Sequence, residues 1–107
     1  MARKPTLKEA KAWAIRIYTL ALAKAEKGDW KGAHQLTNLF RDECAFCRHY
    51  DGSCPDTMCP VWRLCGMNEE GRRADSNASY VIDGKRSKSN GLRHFRRTIQ
   101  QLEALEV

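Results

Sequence analysis

Long apolar runs are missing from this sequence of 107 residues. The longest near its start, IYTLALA from Ile17 to Ala23, spans seven residues, far short of the roughly 20 that a membrane-crossing helix needs. No secretory leader is expected either. The start MARKPTLKEAKAWAIRIY is basic, but Lys8, Glu9, Lys11 and Arg16 break up any apolar stretch. No membrane contact is expected, and the expected location is cytoplasmic. Acids are missing from residues 85–97, which hold Lys85, Arg86, Lys88, Arg93, Arg96 and Arg97. Catalytic patterns are missing as well. His34, His49 and His94 are scattered with no H-E-x-x-H or H-x-E arrangement, and DGKRSKSNG lacks the spacing of a phosphate-cradling G-x-x-x-x-G-K-[ST] loop. A non-enzymatic protein is the expectation.

What is present fits one small domain. A chain of this length sits near the lower limit for a single apolar core, so a metal or disulfide staple would help it. Hydrophobic residues make up 42%, but they thin out after residue 65, which predicts much loop in the second half.

The first half reads as a helical hairpin. In TLKE, Thr6 is placed to cap the first backbone donors while Glu9 reaches back, and Gly28 is placed to end the helix after about Lys27. Leu7, Ala10, Trp13, Ala14, Ile17, Tyr18, Leu20, Ala21, Leu22 and Ala25 cover about half of its circumference, a width that predicts two packing partners. Asp29 is a good N-cap for a second helix with Ala33, Leu36, Thr37 and Phe40 on one face. AKAEKGDWKGA is similar to one tetratricopeptide-type hairpin, but no second copy follows, and an ordinary antiparallel helix pair is expected.

Residues 66–89 are rich in Gly, Ser, Asn and charge and read as a long loop, with Tyr80, Val81 and Ile82 as the apolar anchor or a short strand. A last helix is predicted from an N-cap near Asn90. It places Leu92, Phe95, Ile99 and Leu102 on one side and Arg93, Arg96, Arg97 and Gln100 on the adjacent side.

All five cysteines fall within ECAFCRHYDGSCPDTMCPVWRLCG, residues 43–66. Clustered thiols in a reducing compartment point to metal or redox chemistry. Cys44 and Cys47 form a C-x2-C pair, the spacing by which two thiolates grip one ion through a tight turn, and a second pair would close a tetrahedral zinc site. Cys59 and Cys65 are preferred for that pair, with Cys54 and His49 as alternates. Pro55 and Pro60 stiffen the turns after Cys54 and Cys59, and Arg41, Arg48 and Arg63 offset the negative charge of four thiolates.

Three competing chemistries fit less well. A ferredoxin-type iron–sulfur run places cysteines every third residue. A thioredoxin-like dithiol wants a βαβ context, with its pair near the start of a helix, whereas Cys44 is read here as the end of one. Five thiols are odd for disulfides.

The order of helical hairpin with GDW, then CAFC, then CPDTMCP and a later cysteine resembles small cysteine-rich proteins of unassigned function encoded by tailed phages. The likeness covers roughly residues 10 to 66, and the chain departs from it in having four residues between Cys54 and Cys59. It implies a phage or prophage origin, hence the cytoplasm of a bacterial host, and a metal site.

The expected architecture is mainly α: an N-terminal helical hairpin, a cysteine-rich zinc knuckle, a long loop and a C-terminal helix, all in one domain. The expected role is regulatory binding. Lys85, Arg86, Lys88, Arg93, Arg96 and Arg97 would contact the phosphates of nucleic acid. The alternative is a module docking on and modulating a host protein through an acidic surface, with Trp13, Trp30 and Trp62 as candidate anchors.

Overall fold

The protein is represented by a computed structural model that describes residues 4–42, 45–49 and 77–106. Helices dominate it, and the described residues contain no strand. In chain order they are α1 (Leu7–Glu26), α2 (Trp30–Asp42), α3 (Ala45–His49), α4 (Asn77–Ile82) and α5 (Lys88–Glu103).

Local chemistry sets the ends of α1. Glu9 N–H donates to Thr6 Oγ1 and Thr6 N–H donates to Glu9 Oε1, each at 3.1 Å, which completes the predicted reciprocal cap. At the other end Gly28 adopts φ +84°, so that its N–H reaches the Ala25 carbonyl while Asp29 N–H reaches that of Lys24. Asp29 then starts α2 by accepting from Gly32 N–H at 2.9 Å. A helix stop and a helix start thus share two adjacent residues, and this tight join turns α2 back along α1.

α1 packs against α2, α3 and α5, while α4 packs against α2 and α5. The buried stripe of α1 is largely alanine: Ala10, Ala14, Ala21 and Ala25 flank Ile17 and Tyr18. Small side chains let the neighbouring helices approach closely, and larger ones fill the space from the other side. Phe40 from α2, Phe46 from α3, and Phe95 and Leu102 from α5 are almost wholly buried. Burial of each such side chain contributes about 1.5–3 kcal/mol. Leu20, counted with the apolar side from its spacing, is instead 48% exposed, so the buried face is narrower than the wheel suggested.

The aromatic rings form a continuous chain through this core. Trp13 stacks on Phe40 at 5.3 Å, Tyr18 meets Phe40 edge-on at 5.1 Å and Phe95 at 6.1 Å, and Phe95 stacks on Trp30 at 6.3 Å. The order Trp13, Phe40, Tyr18, Phe95, Trp30 links α1, α2 and α5, each pair in a geometry that aromatic quadrupoles favour. Trp30 is at the corner of the hairpin, and its indole N–H is buried with no acceptor among the described residues.

Two elements differ from the sequence reading. The triplet Tyr80, Val81 and Ile82, offered as a strand or loop anchor, is the last half of helix α4. Ala78 is fully buried and Val81 partly so, three residues apart on one helical side. Gly84, at φ +76°, ends this helix as Gly28 ends α1: its N–H reaches the Val81 carbonyl and Lys85 N–H reaches Tyr80. The cap of α5 also lies earlier than Asn90. Ser87 is the N-cap, its Oγ accepting from Asn90 N–H at 3.1 Å, so Lys88 is already helical. Together α4 and the added first turn of α5 convert the end of the supposed loop into a helical corner.

Candidate functional site

The corner between α4 and α5 gathers positive charge. On α5, Asn90, Arg93, His94 and Arg97 stand at i, i+3, i+4 and i+7, which is one side of a helix. With Arg86, from the turn before α5, they line an open concavity of about 320 Å³. No acid is among its described lining residues. Arg86 is held by a second contact, its guanidinium lying over the Tyr80 ring at 5.2 Å. Helix α4, unforeseen in the sequence, supplies that ring.

Burial lowers the pKa of His94 below the ordinary histidine value, and the charges of Arg86 and Arg97 push it the same way. Among the described residues, Arg93 and Arg97 have neither a carboxylate partner nor a hydrogen-bond acceptor. The Arg93 and Arg97 guanidinium groups therefore have donors to offer, and Arg86 adds a third positive charge to the same lining.

Arg96 belongs elsewhere. Its Nη2 lies 3.4 Å from Glu26 Oε2, tying α5 to the end of α1. The arginine stripe read from the sequence is thus divided: Arg93 and Arg97 face the concavity with Arg86, and Arg96 faces α1. Lys85 and Lys88 are exposed and flank the concavity along the chain without lining it.

No family model, curated protein or solved structure matches this chain. Its functional reading rests on its own residues.

The cysteine segment is only partly placed. Cys44, Cys54, Cys59, Cys65 and the side chain of Cys47 lie outside the described residues, and among those described no three His, Cys, Asp or Glu side chains come together. What is described is the anchor beside them. Cys47 falls in α3, and Ala45 and Phe46, the two residues between Cys44 and Cys47, are both buried against the core. His49 Nδ1 pairs with the Pro5 carbonyl at 2.8 Å, joining α3 to the segment before α1. A metal bond from this imidazole would then come from Nε2, with the carbonyl as the orienting partner.

The expectation that Cys44 ends a helix falls on a residue outside the described ones, while Cys47 falls in α3 and the described residues contain no strand.

Asn90 and His94 were not singled out from the sequence as parts of a binding face. The pattern N-x-x-R-H-x-x-R carries the signal once the helix is known to start at Lys88, since all four polar residues then share one side. No helix among the described residues is long and apolar enough to cross a membrane.

Proposed function

We propose that this chain is a small, non-enzymatic, regulatory protein, held together by a structural zinc site and contacting nucleic acid through the α4–α5 corner and helix α5. The observation that carries the reading is that Arg86, Arg93 and Arg97 line one concavity, with no acid among its described lining residues, flanked by Lys85 and Lys88. Arginine forks engage phosphate oxygens two at a time, and a strand of nucleic acid offers several phosphates in a row to the flanking cations. The zinc proposal is supported by the C-x2-C spacing of Cys44 and Cys47, with Cys59 and Cys65 as the second pair and Cys54 and His49 as alternates. The burial of Phe46 would fix such a knuckle to the hairpin.

The test is binding of the full chain to an unphosphorylated single-stranded oligonucleotide, followed by fluorescence anisotropy across a salt series. Log affinity is expected to fall linearly with log salt, with a slope of about −0.7 per phosphate contacted. Arg93→Gln and Arg97→Gln are each expected to flatten that slope. No binding at low salt would overturn the nucleic-acid reading and leave an acidic protein surface as the partner to pursue.

A further inference from the structure

We infer that α5 is a reading helix for duplex DNA, whose outward stripe of Asn90, Arg93, Arg97 and Gln100 enters the major groove and contacts base edges there. This inference rests on the nucleic-acid reading above and specifies the form of nucleic acid and the part of it that is recognised.

The inward side of α5 is set by Gly91, Phe95, Thr98 and Leu102, all buried where the helix packs on α1 and the hairpin corner. With about 3.6 residues per turn, the opposite side falls to Asn90, Arg93, Arg97 and Gln100, at i, i+3, i+7 and i+10, and all four are exposed. At about 1.5 Å per residue the stripe is about 15 Å long, the length of about four base pairs. A helix with its side chains is about 10–12 Å across, and the major groove of B-DNA is about 12 Å wide. The stripe therefore fits the groove in both directions.

Its chemistry differs from that of a merely solvated face. The exposed side of α1 mixes signs, with Lys8, Glu9, Arg16, Lys24 and Glu26, whereas α5 has no acid from Lys88 to Gln101. The four outward side chains are two guanidinium forks and two carboxamides, the groups that pair with guanine O6 and N7 and with adenine N6 and N7. None of the four has a side-chain hydrogen bond or an ion pair among the described residues, whereas Arg96, off the stripe, is tied to Glu26. Their donors and acceptors are available to a ligand.

The setting presents this helix outward. The short helix α4, a turn containing Gly84 at φ +76° and then α5 follow the order in which a helix-turn-helix offers its second helix to the groove. Lys85 in the turn and Lys88 in the first turn of α5 are exposed beside the stripe, where cations meet the phosphates that border a groove. The close seat of Gly91 on Trp30 and Val81 fixes the helix, which holds the stripe in one register. Duplex RNA is disfavoured, because its major groove is too narrow for such side chains to read.

The experiment is selection by the full chain from a random-sequence DNA duplex pool, followed by titration of the enriched duplex, a scrambled duplex, the enriched single strand and the RNA duplex of the same sequence. A short enriched motif is expected, bound about tenfold or more tightly than the other three. Asn90→Ala and Gln100→Ala, which remove no charge, should each weaken the enriched duplex about fivefold or more, the least that a lost bidentate base contact costs, and leave the scrambled duplex unchanged. Lys85→Gln and Lys88→Gln should weaken both DNA duplexes alike and reduce the salt slope by about 0.9 each. Arg96→Gln should keep the preference, and circular dichroism checks that each variant is folded. Equal affinity for enriched and scrambled duplexes, or tighter binding of the single strand, would overturn the groove-reading helix while leaving nucleic-acid binding in place. Failure of every form to bind at low salt would overturn both.

Discussion

Gly91 and Trp30 meet so closely that a Cβ on the glycine would stand 2.7 Å from Cη2 of the indole. The same added atom would lie 2.7 Å from Val81 Cγ2. One residue without a side chain therefore lets α5 settle into the angle between the hairpin corner and α4. Phe95, one turn further on, then reaches both Tyr18 and Trp30.

Gly91→Ala tests this contact. In an open helix the change gains about 1 kcal/mol from propensity, but overpacking here costs about 1–3 kcal/mol. The expected result is a net loss on the order of 1 kcal/mol in urea unfolding. A more stable variant would show that the corner is loosely packed.

Gly84→Ala separates backbone strain from packing, because an added Cβ there meets nothing within 4 Å. The left-handed φ of +76° makes the substitution cost about 1 kcal/mol. Since this residue sets the turn that carries Arg86, weaker oligonucleotide binding should accompany the lower stability. Unchanged affinity would show that the position of Arg86 does not depend on this turn.

Lys11 closes the far end of α5. Its Nζ donates to the Glu103 carbonyl at 3.0 Å and to the Leu105 carbonyl at 2.8 Å, a cation on one carbonyl of the last helical turn and one just beyond the cap. Lys11→Met keeps most of the aliphatic stem and removes the donors. A loss of about 1 kcal/mol is expected, with faster amide exchange confined to the last turn of α5.

His94 gives the stability a pH dependence of definite sign. Its pKa is lowered in the folded protein, so the unfolded chain binds the proton more readily. This group therefore costs nothing well above its unfolded value of about 6.5, and stability falls as pH drops through that value. Unfolding midpoints measured at about pH 7.5 and about pH 5.5 should show the fall, and His94→Gln should reduce it.

The proposed zinc site makes metal removal informative. Elemental analysis is expected to find a single zinc ion per chain, and a chelator should lower the melting temperature sharply, since structural zinc contributes folding free energy directly. Cys47→Ser and Cys44→Ser should reproduce that loss. A brown, iron-containing protein would replace the zinc knuckle with a cluster, and a metal-free, stable protein would leave the thiols to redox chemistry.

The hairpin was legible in the sequence because its signals are local. Thr6 with Glu9, Gly28 and Asp29 act on backbone groups within a few residues of themselves, and the apolar spacing of α1, α2 and α5 follows from helical geometry alone. The cysteine spacings are equally local, and they name candidate ligands without placing them in space. Tertiary packing decided the rest. Three residues such as Tyr80–Ile82 fit a strand or a helix, and burial of Ala78 and Val81 with the Gly84 cap made them helical. Spacing put Arg93, Arg96 and Arg97 together; the contact with Glu26 drew Arg96 to α1, and the seating of Gly91 against Trp30 set the side on which Arg86, Arg93 and Arg97 converge. A sequence lists charges in one dimension, and which of them share a space depends on how its helices are crossed.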